Sequence, residues 1–445
     1  MATKKQKIWG WMFFDWANQP FHTLILTFTF APFFTSAVAS DPAAGQATWG
    51  YAITIAAILI AVLSPIFGAI ADASGPRRPW IVLFSIVYIV GVAGLWIAEP
   101  GMESVAPVLF FLILAYIGSE ITLVFVNSLL PELGDRNEIG RISGSSWAFG
   151  YWGGLLSLVV VLFFIAPIPG ASTTMIGLEP AFGLDQAARE GDRATGPLSA
   201  IWFLVFIIPF LAWAPDVKRK PQSTGAVAQG IRELRDTIST LPSQSSLFAY
   251  LASAMFYRDA LNGLFAFGGI YAAGVLGWGT FQLGIFGIVA AALGAIGAWI
   301  GGISDARYGP KPVILVCIVS LIAVSILTIT TGPDEVLLIN VGADSNLPAL
   351  VFFFCGGVIG AAGGSLQSAS RTMLIRQAEP SKITEAFGLY SLSGKATAFM
   401  APLLIALFTD LSGSQRVGVT PVIALFLIGL VLMAWVSREG REVEA

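Results

Sequence analysis

Apolar residues gather into long uninterrupted stretches, separated by short polar segments rich in Gly, Pro and charge. Crossing about 30 Å of hydrocarbon takes roughly 20 mostly apolar residues in a helix. Twelve stretches meet that length, near 8–38, 48–72, 79–98, 105–131, 140–166, 198–214, 246–275, 280–304, 312–331, 348–376, 383–410 and 418–437. The pattern predicts an all-α integral membrane protein with twelve transmembrane helices. The first stretch is too long for a cleavable signal peptide and lacks a small-residue cleavage site, so it is expected to remain as the first span.

Composition agrees with that reading and removes several functions. Of 445 residues, 56% are hydrophobic and 11% charged, against about a quarter charged in a soluble domain. The 24 basic and 27 acidic residues give a net charge of -3, so no basic excess exists to hold nucleic acid. Cys317 and Cys355 lie in apolar runs without CxxC spacing, and the single histidine, His22, has no ligand-type neighbours. No disulfide framework, metal or cofactor is expected.

Basic residues near short loops are retained on the cytoplasmic side. Here Lys4, Lys5, Lys7, Arg77, Arg78, Arg136, Arg141, Lys218, Arg219, Lys220, Arg232, Arg235, Arg307, Lys311, Arg376, Lys382, Arg438 and Arg441 fall on one face, while Arg189, Arg193 and Arg416 fall on the other. Both termini are therefore expected in the cytoplasm, and an even number of spans agrees, since it puts the two termini on the same side. The longest connection on the basic face, 216–245, starts with Asp216, Lys218, Arg219, Lys220 and Pro221 and divides the chain into 1–215 and 246–445. Within it Val227, Ile231, Leu234, Ile238 and Leu241 recur at spacings of four and three, with Arg232, Glu233, Arg235 and Asp236 elsewhere. That predicts an amphipathic helix lying on the membrane surface. The opposite loop 167–197, with Pro167, Pro169 and Gly170, is long and polar and suggests no function.

The halves resemble one another at an offset of 244 residues. Asp15, Asn18 and Phe21 fall on Asp259, Asn262 and Phe265, and Gly144 and Gly150 fall on Gly388 and Gly394. Repeats of this sort are common in transporters. A second pair of segments follows spans two and eight: Gly68, Asp72, Gly75, Arg77 and Arg78 in one, Gly301, Asp305, Arg307, Gly309 and Lys311 in the other. Gly allows close helix approach, and an Asp at a helix end can accept from a neighbouring helix N-terminus. These segments are expected in cytoplasmic loops, as parts of a conformational gate.

The G-x-x-x-D-x-x-G-x-R-R run over 68–78 resembles the loop signature of the major facilitator superfamily, and the twelve-span layout fits it over the whole chain. Phe14 to Asn18, Tyr257 to Asp259 and the long segment Phe387 to Thr397 resemble the branch called the unknown major facilitator family, related to the yeast vacuolar amino-acid effluxers. In that branch Gly commonly follows the span-seven Asp, where this chain has Ala260. The resemblance implies two pseudo-symmetric six-helix bundles, alternating access, and amino acids as the substrate class. It also implies a bacterial inner-membrane setting, with spans one, four, seven and ten around a central cavity.

Six ionisable residues sit inside spans: Asp15, Glu120 and Asp259 acidic, Arg258, Arg371 and Lys395 basic. Each costs about 2.5–3.5 kcal/mol at the bilayer centre on insertion scales, so burial with a partner or a function is expected. Three against three suits charge pairing in a shared polar cavity. Helical spacing adds Asn18 and His22 to the face of Asp15, Asn127 to Glu120, Gln367 to Arg371, and sets Trp147 a turn from Tyr151. Asn18, Asn127, Trp147, Tyr151 and Gln367, with Asn262 and Tyr390, are candidates to contact substrate, while His22 could join a proton path or simply pack. Arg371 and Lys395 suit a carboxylate; Asp15, Glu120 and Asp259 suit an ammonium or a coupling proton, with Arg258 as a charge partner. No HExxH, GxSxG or Walker A motif appears, which argues against an enzyme or a primary pump. The expected function is secondary transport of a small polar or zwitterionic solute, with protons and membrane lipid as further partners and a monomeric state. The alternatives are an exporter of amphipaths such as drugs or lysolipids, or a non-transporting sensor.

Overall fold

The computed structural model describes residues 2–39, 42–167, 172–217, 226–276, 278 and 280–438. Pro169, Gly170, Lys218, Arg219, Lys220, Pro221 and Arg441, and the side chains of Val227 and Glu233, lie outside the described residues. Among the described residues, eleven helical segments are long and apolar enough to cross a membrane: Lys4–Val38, Thr48–Ser74, Arg78–Ile97, Ala106–Glu132, Ile139–Ile165, Glu190–Trp213, Ile285–Tyr308, Pro310–Ile329, Leu347–Gln377, Pro380–Thr409 and Gln415–Trp435. The twelfth expected span is the helix Ser245–Leu276, whose apolar run is diluted by Arg258, Asp259 and Asn262. In chain order these are spans one to twelve, with Ser245–Leu276 as span seven.

Proline sets the irregularities. Span one is α-helical over Lys4–Pro20 and then π-helical over Phe21–Phe28, which includes His22; Pro20 stands at the junction. Span eleven is predicted as one helix over 383–410, but it is two: Ile383–Ala396 and Met400–Ser412. Pro402 has no N–H, and its ring would meet the carbonyl four residues earlier, so it sits in the first turn of a new helix and the break falls just before it. Spans nine and ten are joined through a small hairpin, Glu335–Val336 against Ile339–Asn340, which the sequence pattern did not signal.

The chain forms two units. The first comprises Met1–Leu63, Ser74–Leu133 and Phe149–Gln222; the second comprises Ser64–Ala73, Gly134–Ala148 and Ser223–Ala445. The first is cored by aromatics: Trp16 stacks on Phe149 at 4.5 Å and on Trp202 at 6.0 Å, Tyr88 meets Phe203 at 4.7 Å, and Trp11 Nε1 donates to the Val126 carbonyl at 2.7 Å. In the second, Tyr271 lies parallel to Phe352 at 5.8 Å and donates to the carbonyls of Thr328 and Thr331.

The connecting helix spans Ala226–Thr240. Part of its expected apolar face packs on protein. Leu234 and Thr237 are buried, and a methyl group added at Gly230 would stand 2.9 Å from Ile70 Cα, so the face at i, i+4 and i+7 from Gly230 packs on protein. Ile231 and Ile238 are half-exposed. Lys382 Nζ donates to Thr237 Oγ1 at 3.0 Å, which ties this helix to the approach to span eleven.

Candidate functional site

The ends of spans two and five belong to the second unit, where they meet spans eight, ten and eleven. Span five crosses span eight backbone to backbone: a methyl group at Gly144 would lie 2.5 Å from Gly302 Cα, and one at Gly140 2.6 Å from Asp305 Cγ. Span eleven crosses span two in the same fashion, with a methyl group at Gly388 falling 2.6 Å from Pro65 Cα and one at Gly68 2.7 Å from the Thr384 carbonyl. Gly144 and Gly388 are the pair matched by the 244-residue offset, and they occupy corresponding crossings.

Asp72 and Asp305 were expected in loops; both instead stand in the last turns of their helices, which end at Ser74 and Tyr308. The turns come after them, at Gly75 with φ 103° and Gly309 with φ 85°. Only glycine takes such angles without strain. Buried Asp72 accepts the Glu385 N–H at 2.8 Å, so its charge rests on the first turn of the half-helix Ile383–Ala396, where the helix dipole favours an anion. Asp305 accepts the Thr372 hydroxyl. Lys311 Nζ donates to the Val436 carbonyl at 2.5 Å. Arg77 and Arg78 belong to the first unit, where their backbone N–H groups donate to Asp216 at 2.8 and 3.3 Å. Arg78 also reaches the Ala214 carbonyl at 3.0 Å.

Deeper in the second unit the ionisable residues part ways. Arg371 is buried; its Nε donates to Ser143 Oγ at 3.1 Å and its Nη2 to the Ser143 carbonyl at 2.9 Å, with the guanidinium 5.3 Å from the Trp147 ring. It holds span ten to span five rather than standing open. Arg258 is half-buried. Its guanidinium lies 4.1 Å over the Tyr390 ring and donates to the Tyr390 carbonyl at 3.0 Å. It also fills the space beside Gly394, where a methyl group would be 2.5 Å from Nη1. Lys395, half-buried, is the next residue. Tyr390 stacks in parallel on Tyr250 at 6.1 Å, whose hydroxyl donates to the Ser370 carbonyl at 2.6 Å. Tyr257 shares a 2.8 Å hydrogen bond with Ser370 Oγ.

Asp259 departs from the expected ion pairing. It is 2% exposed, and its Oδ2 accepts the backbone N–H of Ala401 at 2.9 Å. Its Oδ1 meets no hydrogen-bond donor among the described residues. Asn262, one turn on, is exposed, and Gln367 is half-buried one turn before Arg371.

The first unit has its own polar group. Asn18 is buried and its Oδ1 accepts the Ser119 hydroxyl at 3.0 Å, beside half-buried Glu120. Asp15 faces span five, where a methyl group at Gly150 would sit 3.2 Å from Asp15 Cβ. Asn127 is buried and Tyr151 half-buried. His22 packs its ring against Phe21 at 5.6 Å. Within the units, then, Arg258 and Tyr390 come together, as do Arg371 and Trp147, and Asn18 with span four. Ser143, Ser370, Tyr250 and Tyr257 carry no expectation from sequence; the seven-residue spacing of the two tyrosines on span seven was the signal available for them.

A family model described as "Vacuole effluxer Atg22 like" matches residues 46–445. The chain is 26% identical over 436 residues to an uncharacterized MFS-type transporter, YxiO, of Bacillus subtilis (strain 168), covering 97% of this chain and 94% of that one. It is 22% identical over 334 residues to autophagy-related protein 22 of Yarrowia lipolytica, 69% of this chain and 52% of that protein. Among solved structures it resembles the major facilitator superfamily transporter FucP in the outward conformation, with TM-score 0.69 and 13% identity over 97% of this chain and 98% of that one. It resembles the proton:xylose symporter XylE bound to 6-bromo-6-deoxy-D-glucose at TM-score 0.66 and 11% identity, over 99% and 98%. The fold is that of the superfamily, twelve helices in two six-helix bundles.

Proposed function

The chain belongs to the vacuole effluxer Atg22-like family of MFS-type transporters, and from that premise we propose that it carries small zwitterionic solutes, amino acids in the first instance, driven by protons. The observation that supports this reading is the pair of half-buried cations at the span seven and span eleven contact. Arg258 lies flat on Tyr390 and against Gly394, and Lys395 is the next residue along. A guanidinium is a planar donor suited to a carboxylate, and Lys395 adds a second positive charge to the same segment of span eleven. Arg371, which donates two hydrogen bonds to Ser143, is assigned to positioning, and Asp15 and Glu120 of the first unit are assigned to protons.

In this reading the bundles 1–215 and 246–445 are joined by the cytoplasmic connection 216–245. Both termini are cytoplasmic, the protein works as a monomer in the inner membrane, and the Gly-lined crossings with Asp72 and Asp305 form the cytoplasmic gate. The test is thermal unfolding of purified protein against amino acids, small peptides, sugars, anions and lysolipids. A ligand that binds only the folded state raises the midpoint by mass action. A shift with amino acids that disappears in Arg258→Ala and Lys395→Ala, and persists in Arg371→Lys, is the expected result. A shift with lysolipids alone would replace this reading with export of amphipaths.

A further inference from the structure

Span eleven is broken within the membrane, and the break leaves backbone groups to be satisfied from elsewhere. In a continuous helix the Ala401 N–H would bond to the carbonyl of Thr397. That carbonyl instead takes the N–H of Met400 at 2.8 Å, and the Ala401 N–H goes to Asp259 on span seven. Asp259 thus caps the half-helix Met400–Ser412 from a neighbouring helix, with a negative charge against the positive end of the helix dipole. Only one of its oxygens is used; Oδ1 is buried without a donor. On the next turn of span seven, the space at Gly263 is closed by Ala401, Val422 and Ile405, all apolar.

Among the described residues, no charged group hydrogen-bonds to that oxygen. The ionisable groups on span seven and on the elements around it are engaged elsewhere: Arg258 on Tyr390, Arg371 on Ser143, Asp305 on Thr372 and Arg416 on Glu335. Tyr250 and Tyr257 bond to Ser370, and Tyr271 to Thr328 and Thr331. Lys395 precedes the break, Glu385 is at the far end of the first half-helix, Asp410 is near the far end of the second, and Pro421–Leu432 of span twelve has no ionisable residue.

We infer that Asp259 is a proton-binding site that latches the break in span eleven. Ionised, it holds the Ala401 N–H and fixes the start of Met400–Ser412. When Oδ1 takes a proton, the carboxyl becomes a weaker acceptor with no charge for the dipole, and the half-helix is released at that end. A metal cation is disfavoured, because hard cations take several oxygen ligands and the surroundings of Gly263 offer carbon. This deepens the carrier reading and rests on it, since it gives the driving proton a seat and a moving part.

The test follows amide hydrogen exchange in peptides covering Met400–Ser412 of the full-length protein in detergent, from about pH 8 down to about pH 5, normalised to intrinsic rates. No solute is present, so its outcome is separate from that of the amino-acid binding test. Wild type should lose protection there by about fivefold on acidification, the scale of one lost helix cap. Asp259→Asn, which keeps a neutral acceptor, should show the weaker protection throughout, while Pro421–Leu432 stays unchanged in both. Flat protection in wild type, or a full pH response in Asp259→Asn, would overturn the proposal. Protection restored at low pH by sodium but not potassium would assign the site to a metal ion and also overturn it. Should Asp259→Asn fail to fold, the wild-type series with Asp259→Glu decides, since the longer acid should keep a pH response with a displaced midpoint.

Discussion

Replacing Gly388 by alanine puts a methyl carbon where the structure has no room for one. It would stand 2.6 Å from Pro65 Cα and 2.7 Å from the Ser64 carbonyl oxygen, whereas non-bonded carbons rest at about 3.5–4.0 Å. The obstructing atoms are backbone, so no side chain can swing aside, and spans two and eleven must separate by about 1 Å. Overpacking of this kind costs about 1–3 kcal/mol. If the crossing opens and closes as a gate, the cost falls on the closed form alone and shifts the equilibrium toward opening by roughly 5- to 150-fold. Ser64 is a suitable reporter: it is fully buried at this crossing and its hydroxyl has no hydrogen-bond partner among the described residues, so Ser64→Cys removes none of the interactions described. Native Cys317 and Cys355 are both buried. Maleimide should label Ser64→Cys many times faster in the Gly388→Ala background, with a lower melting temperature. Equal labelling rates and equal melting temperatures would refute the reasoning, because the two helices would then have accommodated the methyl group without opening.

Asp72→Ala removes the carboxylate from the Glu385 N–H and should cost about 0.5–2 kcal/mol, with Asp72→Asn nearer to wild type in thermal melts. Arg258→Lys should lose much of the flat contact with Tyr390 while keeping its charge, so both Arg258→Lys and Arg258→Ala should melt lower, by an amount equivalent to about 1–2 kcal/mol for alanine; an unchanged melt in both would remove the contact from consideration. Arg416→Ala breaks the 3.0 Å pair with Glu335 on the small hairpin, but both groups are roughly a third exposed, so the loss should stay within about 1 kcal/mol and shrink further at high salt.

The twelve apolar stretches predict the helices closely because hydrocarbon thickness and backbone hydrogen bonding leave few other solutions. The repeat was also legible: Gly144 and Gly388, matched by offset, turn out to sit at corresponding helix crossings. What sequence could not supply was the third dimension of each polar residue. Arg371 reads as an open cation, yet the serine that occupies it, Ser143, lies more than 200 residues away and gives no periodic signal. Asp259 reads as half of an ion pair, but its partner is a backbone N–H exposed by a helix break. Pro402 was the visible cause of that break, and the apolar run around it concealed it. The connecting helix was identified from its periodicity, while the face it packs depends on Gly230 meeting Ile70, a contact that hydrophobicity cannot encode.

The glycine crossings also bear on how the protein responds to heat. A contact between ordinary side chains gains rotamer entropy when it parts, so warming favours its opening. Where span five meets span eight, Gly140, Gly144 and Gly302 have no side-chain torsions to free. If this crossing opens, its separation gains little conformational entropy, and the balance between closed and open forms should vary less with temperature than for a leucine-lined contact of the same area.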